Sequence, residues 1–293
     1  MRNAITLFAV VGLVMGLVGV SAAHDPPGET FFAVQFPDEA VPTIDGDLSD
    51  WEIVPTNPYT IGTDKLYDSF QLKGLGRGEN DPSNINIRHR VGWNETNNMI
   101  YIASEVFDNK HNTDRQDPGK FFHDDAIEVE VNPLMDTVEG LATNFSYKFA
   151  VPPFGGTFIF LRPIENIGHT WLTPGSRWLD FGWSFTGEEF GESTYFYELA
   201  IRPLETMPTE EGTSESGAVE FDLEEGETIH VTINIVDVDE GDDRDVYWSM
   251  AVAASCCNAL NDFVLTEMDP KLTENIATAV ETDTWGRIKS QFR

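Results

Sequence analysis

The chain has 293 residues, of which 50 are Asp or Glu and only 18 are Lys or Arg, so its formal net charge is -32. This charge excludes nucleic acid as an expected partner, because phosphate binding requires clustered Lys and Arg, and it disfavours binding to anionic lipid surfaces. Hydrophobic residues make up 41% and aromatic residues 12% of the chain, which is enough to build a core. The composition therefore predicts a folded, acidic protein.

The first 23 residues have the layout of a cleaved secretory signal peptide. Arg2 precedes the apolar run Ile5–Val20, and the small residues Ser21–Ala23 follow it. A retained membrane anchor needs about 20 apolar residues and a charged stop, which this run lacks. A cut after Ala22 or Ala23 fits equally well, and no cysteine follows that would anchor a lipoprotein. We expect a secreted or periplasmic protein with no membrane insertion after cleavage.

The only two cysteines, Cys256 and Cys257, are neighbours in the chain. Adjacent Cα atoms lie about 3.8 Å apart, which is shorter than the usual disulfide range of about 4.4–6.8 Å. A stabilising cross-link within the chain is therefore excluded. A strained vicinal disulfide and a pair of buried thiols remain as alternatives.

Short segments with an alternating apolar and polar pattern dominate the chain after residue 30. They are bounded by Gly, Pro, Asn or Asp, which is typical of half-buried antiparallel strands. The clearest lie at residues 85–91, 100–106, 127–131, 195–202 and 229–235. Asn94–Asn98 has the length of a hairpin loop, and Thr273–Val280 could form two helical turns. The fold class predicted is all-β, an antiparallel β-sandwich with long loop insertions.

The strand pattern indicates one domain over residues 41–293, preceded by a lead-in at residues 24–40. Three insertions interrupt it, near residues 55–82, 152–183 and 205–226. The first is rich in Gly, Asp and Pro and the third in Glu, Ser and Gly, so both are expected to be surface loops or partly disordered. The second is dense in Phe and Trp, and we expect an ordered excursion with two extra strands.

Six short stretches form an ordered set of motifs. They are Ile44–Trp51 (IDGDLSDW), Val91–Trp93 with Met99–Ala103 and Asp108, Asp125–Val129 (DAIEV), Tyr197–Ile201 (YELAI), Gly226–Asp239, and Trp285–Ile288 (WGRI). In this order they resemble the family 9 carbohydrate-binding modules and their DOMON-like relatives over about residues 40–290. The resemblance implies a DOMON-like, jelly-roll-like β-sandwich. It also implies binding of extracellular poly- or oligosaccharide without cleavage, in association with glycoside hydrolases.

The first of these motifs also has a direct physical interpretation. Asp45 and Gly46 form a turn, since Gly tolerates a backbone conformation that other residues resist. Trp51 is then expected to pack over one end of the sandwich. We predict a structural role for these residues in preference to ligand contact.

Sugar rings have apolar C–H faces rimmed by hydroxyls, so their sites need flat aromatic platforms and a few polar side chains. The resemblance implies two tryptophan platforms, of which one falls at Phe122 and the other in residues 275–284, where this chain has no aromatic residue. Tryptophans of the second insertion, including Trp183, could replace them, and core packing is the alternative for each. The predicted ligand-binding residues are Phe122, Asp125, Arg88, Trp171 and Trp178.

The densest acidic segment is Asp237–Asp245. Hard oxygen ligands suit Ca²⁺, although the spacing is not that of an EF-hand. The predicted calcium ligands are Asp237, Asp239 and Asp243, and the resemblance supports calcium because family members often hold it. A solvated acidic loop is the alternative. No nucleotide cofactor is expected, because the sequence has no phosphate-binding loop.

The sequence also contains residues that could serve catalysis or bind haem or copper. Glu128 and Glu130 lie about 7 Å apart on one strand face, the spacing of a glycosidase pair, but such spacing arises by chance among 50 acids. The protein is therefore predicted not to be an enzyme. The remaining alternatives are a haem-binding electron-transfer domain, as in some DOMON-like relatives, with Met99 or Met250 as ligand, copper binding at an N-terminal His24, and a non-binding structural module of the cell exterior. The oligomeric state stays open.

Overall fold

The computed structural model describes residues 25–114, 123–134, 145–150, 158–162, 171–206, 208, 214–241, 243–252 and 260–279, with the backbone alone at 145–150 and 158–162. Several predictions fall outside these residues: the signal peptide, His24, Phe122, Cys256, Cys257 and the Trp285–Ile288 motif. Within the described ranges, no helix has the length and apolar content needed to cross a membrane.

Strands are the main regular secondary structure of the described chain. They are β1 (Thr30–Gln35), β2 (Ile61–Gly62), β3 (Tyr67–Asp68), β4 (Ile85–Asn94), β5 (Met99–Asp108), β6 (Ala126–Val131), β7 (Phe145–Ala150), β8 (Phe158–Arg162), β9 (Leu179–Gly187), β10 (Ser193–Ile201), β11 (Leu204–Thr206), β12 (Val219–Glu220), β13 (Thr228–Asp237), β14 (Val246–Ser249) and β15 (Asn261–Leu265). The helical segments are the 3-10 turns Asp38–Ala40, Leu48–Ile53 and Thr63–Lys65, a single turn at Thr56–Tyr59, and a helix at residues 270–279.

The strands form two layers that share β1. Sheet I has the order β8-β7-β6-β13-β15, with β14 added to β13 and β3 to β14, and sheet II has the order β4-β5-β10-β9, with β2 added to β4. Thr30–Ala33 of β1 pairs with β15, and the next two residues pair with β4. Both β1 pairings are parallel, whereas the other strand pairs described are antiparallel. The predicted all-β sandwich is confirmed, with β1 as the parallel exception.

The strands predicted from period-two alternation all occur, because alternating side chains must point to opposite faces of a sheet. The hairpin between β4 and β5 turns between Asn94 and Met99, which pair in register. The insertion near residues 152–183 includes β8, and β9 begins within it and continues to Gly187. The helix at residues 270–279 overlaps the predicted turns.

The main core lies between the two sheets. Its residues are the inward positions of both layers, such as Ile87, Ile102 and Leu199 from sheet II and Val129 and Ile233 from sheet I. All five are fully buried. Burial of this apolar surface, at about 25 cal/mol per Å², is the main force that holds the layers together.

A second, smaller core lies on the outer face of sheet II. Tyr101, Ala103 and Ala200 occupy the outward positions of β5 and β10, and Trp51 and Leu272 pack against them. The 270–279 helix and the Leu48–Ile53 turn therefore cover this face of the sheet. Trp51 packs on the face of a sheet, which corrects the expectation that it covers one end of the sandwich.

One buried carboxylate connects the opening motif to sheet II. Glu198 on β10 accepts hydrogen bonds from the backbone N–H groups of Asp45 at 3.1 Å and Gly46 at 2.8 Å, and from Nε1 of Trp51 at 2.9 Å. Gly46 has a φ of +84°, and a Cβ there would lie 2.3 Å from the carbonyl carbon of Trp183. In the structure, the motif's turn thus has a structural role.

Candidate functional site

Three aspartates meet at one end of the main core. Asp108 is the last residue of β5, Asp237 is the last residue of β13, and Asp125 directly precedes β6. Each continues the inward-facing positions of its strand, so the alternation of side chains turns all three toward the interior. His111 and Asp239 complete the group. We call these five residues the acidic cluster.

The acidic cluster offers closely spaced ligand atoms. One side-chain atom each from Asp108, His111 and Asp125 lie within 4.8 Å of one another, and the same holds for Asp108, Asp237 and Asp239. Burial, together with repulsion from neighbouring carboxylates, raises the pKa of Asp108 to about 6 and that of Asp237 to about 7. Negative charge in the cluster is therefore unfavourable without a cation.

The carboxylate oxygens of the acidic cluster differ in whether they accept hydrogen bonds, and this decides which of them could bind a cation. The buried atoms Asp237 Oδ1 and Asp239 Oδ1 have no hydrogen-bond partner, whereas Asp237 Oδ2 accepts hydrogen bonds from Asn84 and Trp248 at 3.3 Å. In Asp125, Oδ1 accepts a hydrogen bond from the Val238 N–H at 2.7 Å, and Oδ2 is engaged by another backbone N–H. The three oxygen donors Asp108, Asp237 and Asp239 fit a hard cation such as Ca²⁺.

The predicted calcium ligands are placed differently from one another. Asp237 and Asp239 lie in the acidic cluster, whereas Asp243 has a side chain that is 91% exposed and pairs with Nδ1 of His123 at 2.9 Å. The sequence did not identify Asp108 as a ligand, although that residue ends one of the family-like motifs. The missing information was the third dimension, since Asp108 and Asp237 are 129 residues apart in the chain.

The described members of the predicted sugar site do not share one surface. Trp171 and Trp178 belong to the main core, with ring centroids 5.2 Å apart, because burying these large rings stabilises the fold. Arg88 lies on the outer side of sheet II, where it pairs with Glu105 at 3.3 Å and borders a cleft of about 590 Å³. Asp125 belongs to the acidic cluster. Trp183 is half-buried at the edge of the main core.

The outer face of sheet I has an unusual lining of buried polar side chains. In register across three strands, Glu128 of β6 lies opposite Asn234 of β13, which lies opposite Ser249 of β14. Each of these residues is at most 2% exposed. We call the following outward-facing residues the polar face: Glu128, Glu130, Thr232, Asn234, Tyr247 and Ser249.

A hydrogen bond joins two members of the polar face. The Tyr247 hydroxyl donates to Glu128 Oε2 at 2.5 Å, and Oδ1 of Asn234 is buried without a hydrogen-bond partner. Sequence reasoning treated these outward positions as solvent-facing or as a chance pair of acids. In the sequence, polar residues recur at the outward positions of β6 and β13. Only the structure shows that these two strands are adjacent.

The methionines considered for haem ligation lie in the two cores. Met250 is fully buried in the main core, and Met99 is half-buried against the second core. Neither position provides a specific observation in favour of haem.

The fold of most of the chain resembles solved carbohydrate-binding modules. A family 9 module from Caldicellulosiruptor kristjanssonii in complex with cellotriose aligns with a TM-score of 0.50 at 14% identity, over 83% of this chain and 96% of that one. A structure of such a module from the same organism in complex with glucose gives a TM-score of 0.50 at 13% identity, over 83% and 98%. Neither a protein-family model nor a curated protein matches the sequence.

These alignments confirm the resemblance seen in the motifs at the level of the fold. The protein is an all-β sandwich with the fold of the family 9 carbohydrate-binding modules. At 13–14% identity, this likeness shows the fold and does not identify the ligand.

Proposed function

We propose that this protein binds a saccharide without cleaving it, and that the polar face of sheet I provides the hydrogen-bonding part of the site. The single observation that carries the proposal is the buried group of Glu128, Tyr247 and Asn234, in which acceptors and donors stand side by side on a sheet face. Sugar sites combine such polar groups with apolar surface. The likeness in fold to modules solved with cellotriose and glucose supports the same ligand class.

The physical chemistry of the polar face favours a ligand with many hydroxyl groups. Burying a carboxylate is costly unless it accepts hydrogen bonds, and both Glu128 and Glu130 are at most 2% exposed. A carboxylate accepts hydrogen bonds only, whereas an amide and a hydroxyl both donate and accept. Sugar hydroxyls can pair with all three kinds of group, so the chemistry of this buried face is complementary to a neutral saccharide.

The proposal includes export from the cell and work beside other proteins. The layout of the first 23 residues supports secretion, and the family resemblance supports a place next to enzymes that break down polysaccharide. In this role the protein would hold such an enzyme or the cell at its substrate and would carry out no chemistry of its own.

Calcium is the second part of the proposal. Asp108, Asp237 and Asp239 would hold Ca²⁺ through carboxylate oxygens, two of which are buried and lack a hydrogen-bond partner. The ion would neutralise charge at the end of the core and fix the ends of β5 and β13. Its role there is structural, since these residues lie on the inner side of the sandwich and the polar face lies on the outer side of sheet I.

The binding proposal is tested by calorimetric titration of the mature chain with cellotriose and glucose, and by affinity electrophoresis in gels containing soluble polysaccharides. Replacing Glu128 with Gln removes a charge-assisted acceptor and should weaken binding about tenfold or more. Glu105→Gln, which changes an acid on sheet II, is the control and should bind like the wild type. Absence of wild-type binding to every saccharide in the panel would refute the proposal.

A further inference from the structure

An exposed phenylalanine stands at the border of the polar face. Phe70 is 37% exposed, and its ring centroid lies 4.7 Å from that of Tyr247 in an edge-to-face arrangement. Tyr247 in turn donates its hydroxyl hydrogen bond to Glu128. The exposed ring of Phe70 therefore packs directly against Tyr247, which is hydrogen-bonded to the buried Glu128.

The ring of Phe70 is held by contacts on several sides. The guanidinium carbon of Arg244 lies 4.7 Å from the centroid of Phe70 and 5.5 Å from that of Tyr247, within the range of cation–π contacts. The preceding residue, Ser69, donates its backbone N–H to the Tyr247 carbonyl at 3.1 Å, and so extends the pairing of β3 with β14. The position of the ring is thus fixed relative to sheet I.

The segment that follows Phe70 is also fixed. Asp68 accepts hydrogen bonds from the backbone N–H groups of Leu72 at 3.1 Å and Lys73 at 2.8 Å, which closes a tight turn. Lys73 pairs with Asp245 at 3.3 Å, so the turn is tied to the loop that carries Arg244. A ring that is exposed but already ordered loses little entropy on binding a ligand.

We propose that Phe70 is the aromatic platform of the saccharide site, stacking on the C–H face of a neutral pyranose ring at the border of the polar face. This inference rests on the proposed function and adds a specificity-determining residue to it. It also assigns a binding role to the insertion near residues 55–82, which the sequence indicated only as a surface loop. Acidic sugars would be disfavoured, because the Glu128 carboxylate is bonded to Tyr247, against which the Phe70 ring packs.

The test is calorimetric titration of Phe70→Ala and Phe70→Trp with the saccharide that binds the wild type most tightly in the panel above. Loss of an aromatic platform should weaken binding about tenfold or more, whereas Trp should preserve or strengthen it. Phe190→Ala is the matched control, since Phe190 is 41% exposed on the turn between β9 and β10 of sheet II. The circular dichroism spectrum of each variant is compared with the wild-type spectrum to show that the fold is retained.

The outcomes separate this inference from the proposed function. If the wild type binds and Phe70→Ala binds equally well, the platform assignment is wrong while saccharide binding stands. If Phe190→Ala weakens binding as much as Phe70→Ala does, the effect is not specific to this ring and the assignment also fails. Weaker binding of glucuronic acid than of glucose supports the choice of a neutral ring, and the reverse order overturns it.

Discussion

At the scale of single residues, Glu198 shows how a charged side chain can organise a distant segment. The residue lies in the YELAI motif and accepts three hydrogen bonds from the opening motif, about 150 positions earlier in the chain. Burial raises its pKa, and the hydrogen bonds from Gly46, Trp51 and Asp45 oppose that rise. Two of the six family-like motifs, IDGDLSDW and YELAI, are therefore joined in the structure by the hydrogen bonds to Glu198.

Replacing Glu198 with Ala should lower the free energy of unfolding by about 2–4 kcal/mol, because three donors lose their acceptor. Denaturant unfolding followed by tryptophan fluorescence measures the change. Glu105→Ala removes an exposed acid whose ion pair with Arg88 is worth at most about 1 kcal/mol, and it provides the comparison. Equal effects of the two substitutions would show that the hydrogen bonds between Glu198 and the opening motif do not contribute to the free energy of unfolding.

At the scale of elements, the described residues of the 270–279 helix are held by docking on the second core. Leu272 is fully buried in the second core, and Nδ2 of Asn275 donates to the Ile53 carbonyl at 2.7 Å. The helix thus forms because sheet II and the Leu48–Ile53 turn provide an apolar surface for it.

Leu272→Ala should cost about 2–5 kcal/mol, the usual range for removing a buried leucine side chain. Amide hydrogen exchange should show faster exchange in residues 270–279 and in Leu48–Ile53, which lose their shared contact. Val219→Ala, at a side chain that is 45% exposed, should change stability by less than about 0.5 kcal/mol. Unchanged exchange in both segments of the Leu272 variant would contradict the docking argument.

At the scale of the whole molecule, the chain has a net charge of -32, and some of its acidic side chains lie close together at the ends of two strands. The ends of β5 and β13 bring the buried Asp108 and Asp237 together with the half-buried Asp239. Like charges there oppose folding at neutral pH, in addition to the self-repulsion of a highly acidic surface. A bound cation or a bound proton relieves the repulsion, so the two should substitute for each other.

This reciprocity predicts a pH dependence with a definite sign. The folded-state pKa values of Asp108 and Asp237, about 6 and about 7, lie above the ordinary value of 3.8. The stabilising contribution of protonation is complete below pH 3.8 and is lost as the pH rises through 6 and 7. Protein treated with a chelator should therefore melt roughly 4–8 °C lower at pH 8 than at pH 5, and excess Ca²⁺ should reduce that difference.

Scanning calorimetry from pH 5 to pH 8, with EDTA or with CaCl2, measures this effect. Asp237→Asn is the control, because an amide does not titrate and binds calcium less well than a carboxylate. It should show a smaller pH dependence in EDTA and a smaller response to Ca²⁺. Identical profiles for the wild type and the variant under both conditions would show that Asp237 neither titrates in this range nor binds the ion.

Much of the fold could be predicted because its strands are encoded locally. Alternation at residues 85–91, 127–131 and 229–235 places one set of side chains on each face, whatever the neighbouring strands are. The double role of β1 could not be predicted in this way. Thr30–Ala33 and the next two residues belong to different sheets, and no local pattern specifies a change of partner.

The candidate sites were less accessible to prediction for the same reason. Trp171 and Trp178 have the right chemistry for a sugar platform, but the core buries them, whereas the less distinctive Phe70 is exposed beside Tyr247. Aromatic content alone does not indicate exposure, because the same ring is favourable in a core and in a binding site. Only the packing of the chain decides between the two.

The sequence by itself determined the acidic character, the all-β class and the likeness to carbohydrate-binding modules, since composition, alternation and short motifs are properties of neighbouring residues. The tertiary structure decided which outward positions form the polar face and which aspartates form the acidic cluster. It did so because register and strand order bring together residues as far apart as Glu128 and Tyr247, or Asp108 and Asp237. The physical reason is that alternation fixes the face on which a side chain lies, while only strand pairing fixes its neighbours.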